Sequence, residues 1–118
     1  MDGTAGRRRR DVKRVGQVID LRPEVIDAYE RLHAAPWPGV LEAIHRANIR
    51  NYTIYRHGMR LFATFEYIGD DYAADMTAMA ADPIVQDWWT HTDAMQQPLP
   101  DREPGSWWTT IPEVFHTD

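Results

Sequence analysis

The sequence predicts an α+β domain whose elements run in the order βαββαβ, and three observations carry that reading. A strand-like run over residues 15–21 leads directly into a helix opened by Pro23. Two β-branched and aromatic runs flank a hairpin-sized loop at residues 56–60. After a second block of helices, a short apolar run closes the chain.

Each element has a local cause. In the first strand Val15, Gln17, Ile19 and Leu21 share one face, and Val18 turns to the other. The helix over 23–34 carries Glu24 and Asp27 in its first turn, where the positive end of the helix favours them. Its apolar stripe is Val25, Ile26, Ala28, Tyr29 and Leu32. Pro36-Trp37-Pro38-Gly39 interrupts that pattern, and a second helical stretch over 40–47 carries Val40, Leu41 and Ile44 inward. Strands follow at 49–55 and 61–68. Asp70-Asp71 reads as a capping turn before a helix over 72–80, and Asp82-Pro83 as an N-cap and first residue of a helix over 83–91. Residues 97–105, with Pro98, Pro100 and Pro104, form an extended surface excursion. Ile111 to Phe115 is the expected last strand. This is the ferredoxin-like order, an antiparallel four-stranded sheet with helices on one side. Tyr52, Ile54, Phe62 and Phe65 leave an apolar second sheet face, which predicts a homodimer joined about a two-fold axis as a dimeric α/β barrel.

A length of 118 residues, 43% hydrophobic and 26% charged, fits one soluble globular domain. The organisation expected is a basic mobile tail over 1–13 and a single domain over 14–118. No apolar run approaches the roughly 20 residues of a membrane-spanning helix, so a soluble, cytoplasmic product with no membrane partner is expected. The absence of cysteine excludes disulfides, a thiolate nucleophile and Cys-ligated metal. Six of the thirteen basic residues and two acids lie within residues 1–14, a net +4 that leaves −9 on the rest. An acidic body repels a phosphate backbone, which argues against a nucleic-acid partner. The Arg7–Arg10 run is a solvated tail or a localisation or nucleic-acid patch.

The candidate chemistry rests on aromatic residues and one histidine. Trp88-Trp89 and Trp107-Trp108 are adjacent pairs, and consecutive helical residues lie about 100° apart, so one ring of a pair must face a cleft or a neighbour. Such rings serve a core or dimer interface, or they cover the C–H face of a sugar. His33, one turn beyond Tyr29, is either a helix-end histidine or an acid/base group able to give and take a proton near neutrality. His45, His57, His91 and His116 have no metal-ligand spacing, so no metal is expected.

The string Tyr29-Glu30-Arg31-Leu32-His33, then Pro36-Trp37-Pro38 and Asn51-Tyr52-x-Ile54-Tyr55, resembles the L-rhamnose mutarotase family. So do Leu61-Phe62, Asp82-Pro83-x-x-Gln86-x-Trp88-Trp89, Thr92-Asp93-x-Met95 and Glu113-Val114-Phe115-His116. The matches keep their order and spacing over residues 14–118. The resemblance implies a cofactor-free isomerase of ferredoxin-like dimeric fold that interconverts the α and β anomers of a 6-deoxy-hexose. It places the proton donor at His33 and sugar contacts at Tyr29, Tyr52, Trp88 and Trp89. Family members often read His-Asn-Pro before Trp-Pro and glutamate after it, where this chain has Ala34, Ala35 and Gly39. That departure makes L-fucose the alternative sugar. A cofactor-less monooxygenase and a plain sugar-binding module are the competing functions of the same fold.

Overall fold

The computed structural model describes residues 12–118; the Arg7–Arg10 run and most of the expected basic tail lie outside them. The elements are β1 (Lys13–Leu21), α1 (Ile26–Ala34) after a 3₁₀ turn at Pro23–Val25, α2 (Pro38–Arg46), β2 (Ile49–His57) and β3 (Arg60–Tyr67). They continue with α3 (Tyr72–Ala80), α4 (Pro83–Met95), β4 (Gln96–Gln97) and β5 (Thr109–Ile111). The sheet runs β2-β3-β1-β4, antiparallel throughout, with β5 also paired to β1. Since β3 takes one edge of β1 from Lys13 to Asp20, β4 and β5 share the other, opposite residues 20–21 and 16–18.

Helix boundaries follow from caps. Asp71 accepts a hydrogen bond from the Ala74 amide at 3.1 Å, and Asp82 accepts from the Ile84 amide at 2.9 Å with Pro83 at the first helical position. α2 stops where Asn48 adopts φ 65°, a left-handed conformation that asparagine tolerates better than most residues. The β2–β3 hairpin turns through Gly58-Met59, with Gly58 at φ 60°.

On the helix-facing side of the sheet, Ile19, Leu21, Leu61 and Tyr29 form one buried cluster, and Ala47, Ile49 and Phe65 a second. Burying each large apolar side chain contributes about 1.5–3 kcal/mol. Gly39 lets α2 approach α4 closely, because a Cβ there would stand 2.9 Å from Ile84 Cδ1.

The structure corrects four expectations. Leu41 is half exposed, because Val40 and Ala43 occupy the inward stripe of α2 and Leu41 sits about 100° off Val40. Helix α4 runs four residues past 91, and the expected excursion instead begins with Gln96-Gln97 paired to β1. The last strand is Thr109–Ile111 and not Ile111–Phe115: Pro112 has no N–H to give the ladder, and Val114 and Phe115 stand 91% and 78% exposed. Of the four apolar residues assigned to the second sheet face, only Phe62 lies there. Phe65 and Ile54 alternate onto the helix-facing side, and a bulge between Arg50 and Thr53, with Asn51 at φ 54°, turns Tyr52 inward onto the Phe65 ring. Tyr55, opposite Phe62 and 61% exposed, takes its place.

Candidate active site

Between the two buried clusters, sheet and helices leave a cavity of about 490 Å³, within the range of small-molecule sites. Tyr29, His33, Tyr52, Trp88 and Trp89 all line it, so the structure brings every expected site residue to one place.

Helix α1 sets the first pair. Tyr29 and His33 are one turn apart and their rings stack with centroids 4.1 Å apart and 25° between planes. His33 Nδ1 lies 2.8 Å from the Tyr29 carbonyl oxygen. A carbonyl can only accept, so Nδ1 carries the proton and Nε2 is the bare nitrogen of the neutral ring. Burial lowers the His33 pKa, partly offset by that hydrogen bond, so the neutral form predominates at neutral pH. Trp88 meets the imidazole edge-on at 5.3 Å and is backed by Trp37 at 5.1 Å.

Helix α4 buries Val85, Trp88 and Thr92 along one stripe. Trp89, next to Trp88 and 37% exposed, flanks that stripe and reaches the cavity from its rim. The Tyr29 phenol is pushed up to about 12 by burial, against a downward effect of its hydrogen bond with Gln96. Tyr52 keeps 39% of its surface open, yet the walls around it also push its phenol well upward. Both phenols hold their protons at neutral pH and can donate hydrogen bonds.

Sequence reasoning singled out neither Gln17, Tyr72 nor Gln96 for the site, and left Trp107 and Trp108 without a role; all five line the cavity. Asp93 lines it too, and desolvation raises its pKa. Two Met residues, Met76 and Met79, with Val40 and Ile44, form its apolar wall. Spacing gave no signal for Gln96, since a buried amide on a two-residue strand looks like any loop glutamine. Among the described residues no group of three or more His, Cys, Asp or Glu side chains gathers as a metal site, and no helix is long and apolar enough to cross a membrane.

The model of the L-rhamnose mutarotase family matches residues 14–117. The chain belongs to this family. An L-rhamnose mutarotase from Phocaeicola vulgatus is 33% identical over 91% of the chain and all of the relative. Another from Bacteroides thetaiotaomicron is 31% identical over the same shares. In three dimensions the fold resembles the L-rhamnose mutarotase of Formosa agariphila, with TM-score 0.67 and 24% identity, covering 90% of this chain and 99% of that one. It also resembles the tetracenomycin F2 cyclase of Streptomyces glaucescens, with TM-score 0.58 and 15% identity, covering 89% and 95%. A fold shared by a mutarotase and a polyketide cyclase does not choose the reaction; in this L-rhamnose mutarotase family member the chemistry depends on the residues of the cavity.

Proposed function

We propose that the protein interconverts the α and β anomers of L-rhamnose, with His33 moving the proton and Tyr29, Tyr52, Trp88 and Trp89 binding the sugar. The observation that carries this reading is the imidazole of His33, stacked on a phenol and edged by an indole on the wall of the cavity. Membership of the L-rhamnose mutarotase family supports the choice of sugar.

In the proposed cycle, His33 Nε2 takes the proton of the anomeric hydroxyl as the C1–O5 bond breaks and C1 becomes a carbonyl. The pair of electrons leaving with O5 is met by a proton from a phenol, Tyr29 or Tyr52. The open aldehyde turns about C1–C2 and O5 attacks the other face. O5 gives its proton back to the phenolate, and the imidazolium returns its own to O1. Nothing is oxidised or consumed, so the cycle needs no cofactor. Trp88 and Trp89 present apolar faces to the C–H side of the ring, and the Met76 and Met79 wall suits the methyl group that replaces the 6-hydroxyl.

The protein acts in this reading as a cytoplasmic homodimer, the open face of the sheet around Tyr55 and Phe62 covered by a second copy. The test is NMR saturation transfer on L-rhamnose: irradiating one anomeric proton must deplete the other faster as protein is added. Faster exchange on L-fucose alone would change the sugar. Shift changes without exchange would leave a sugar-binding module, and oxygen uptake would favour a monooxygenase.

A further inference from the structure

The buried amide of Gln96 joins two aromatic residues of the cavity wall that are 78 positions apart in the chain. Gln96 is 3% exposed, placed by the pairing of β4 with β1 opposite Leu21. Its Oε1 accepts a hydrogen bond from Trp107 Nε1 at 2.8 Å, and its Nε2 lies 3.3 Å from the Tyr29 hydroxyl. An indole N–H can only donate, so the amide atom facing it must be the oxygen. The NH₂ group is thereby turned on Tyr29, whose oxygen must accept. A phenol has one proton, and among the described residues Gln96 is the side chain that meets the Tyr29 hydroxyl. That proton is left for whatever enters the cavity.

We propose that Trp107 and Gln96 are positioning residues that fix the Tyr29 hydroxyl as a hydrogen-bond donor toward the sugar. Resting on the mutarotase reading, this assigns Tyr29, over Tyr52, as the phenol that meets the ring oxygen. A sugar hydroxyl can turn to suit either polarity, but the ring oxygen of a pyranose has no proton and can only accept. A phenol locked as donor therefore suits the one sugar oxygen that can only accept and that must take up a proton when the ring opens. It also gives Trp107, itself part of the cavity wall, a role exerted on the Tyr29 hydroxyl through Gln96.

The test inverts the lock while keeping its shape. In Gln96→Glu the ionised carboxylate accepts from both Trp107 and Tyr29, so the phenol proton turns away from the cavity. When that carboxyl is protonated it donates to Tyr29 as the amide does, and the original polarity returns. Anomer exchange on L-rhamnose, taken at each pH as the ratio of variant to unaltered protein, is expected to fall at least tenfold at high pH and to climb back as pH is lowered. The other titratable groups lining the cavity are Tyr29 and His33 on α1, Tyr52 on β2, Tyr72 on α3 and Asp93 on α4, and they are common to both proteins. Tyr29→Phe is expected to lose as much alone as it does combined with Gln96→Glu.

A ratio near one at all pH values would overturn the inference. So would a loss that is the same at every pH and adds in full to that of Tyr29→Phe, since that marks Gln96 as packing alone. If the unaltered protein bound L-rhamnose without speeding exchange, the mutarotase reading would fail. The same ratio, taken on dissociation constants, would then decide whether the lock exists.

Discussion

One carbonyl oxygen sets the tautomer of the His33 imidazole. Because the Tyr29 carbonyl holds Nδ1–H, Nε2 is the nitrogen left to take a proton, and no side-chain carboxylate is needed to set the tautomer. On the proposed mechanism, His33→Ala removes general acid/base assistance, and exchange is expected to slow by about 10²–10⁴-fold, roughly 3–5 kcal/mol of barrier, in the saturation-transfer measurement. The pH dependence follows in sign. Burial lowers the His33 pKa below the ordinary histidine value, so the basic form predominates at neutral pH and is lost as pH falls through that lowered value. Exchange is expected to be flat near neutrality and to decline toward acid; a decline that begins above pH 7 would contradict a buried, neutral base. The same shift costs stability in acid, since the unfolded chain binds the proton more readily than the folded one.

At the scale of elements, the bulge in β2 decides whether Tyr52 belongs to the site. Regular alternation from Arg50, which pairs opposite Glu66 on the outer face, would send Tyr52 outward as well; the extra residue reverses that. Asn51 reaches φ 54° and donates to Glu66 Oε1 at 2.8 Å. A β-branched residue is strained there, so Asn51→Val is expected to cost about 1–2 kcal/mol, read as a lower melting temperature, and to raise KM for the sugar. Asn51→Gly keeps the conformation and is expected to lose less. This element also shows what the sequence could and could not tell. The strands, caps and α1 stripe were legible because periodicity and Asp-Pro or Asp-x-x pairs are local signals. Asn51-Tyr52 was legible only as a matching string, because a bulge has no periodic signature. Gln96, whose importance depends on partners at positions 29 and 107, was not legible at all, and Phe115 was misread because β-propensity was weighed without the missing N–H of Pro112.

Across the whole molecule, one face of the sheet is covered by helices and the other is not. Tyr55 and Phe62 face each other across β2 and β3 and stay exposed, with Ile111 on the same side opposite Gly16. The groups around them are charged and paired: Arg60 with Asp20 at 2.7 Å and Arg14 with Glu113 at 2.7 Å. An apolar centre inside a polar rim is the anatomy of an interface, and a two-fold axis would set the same patch against itself. Phe62→Glu is accordingly expected to give a monomer by analytical ultracentrifugation with its circular dichroism unchanged. A wild-type protein sedimenting as a monomer at micromolar concentration would end the dimer proposal. Because the cavity lies on the opposite side of the sheet, the separated variant is expected to bind sugar still.

The indoles at 107 and 108 come from the last dozen residues, yet they wall a pocket that α1 opens near the start of the domain. A growing polypeptide can therefore make all four helices and strands β1 to β4 before it owns a finished chamber. On the proposed reading, the sugar finds a closed wall only once the segment carrying these two indoles has come home to α1.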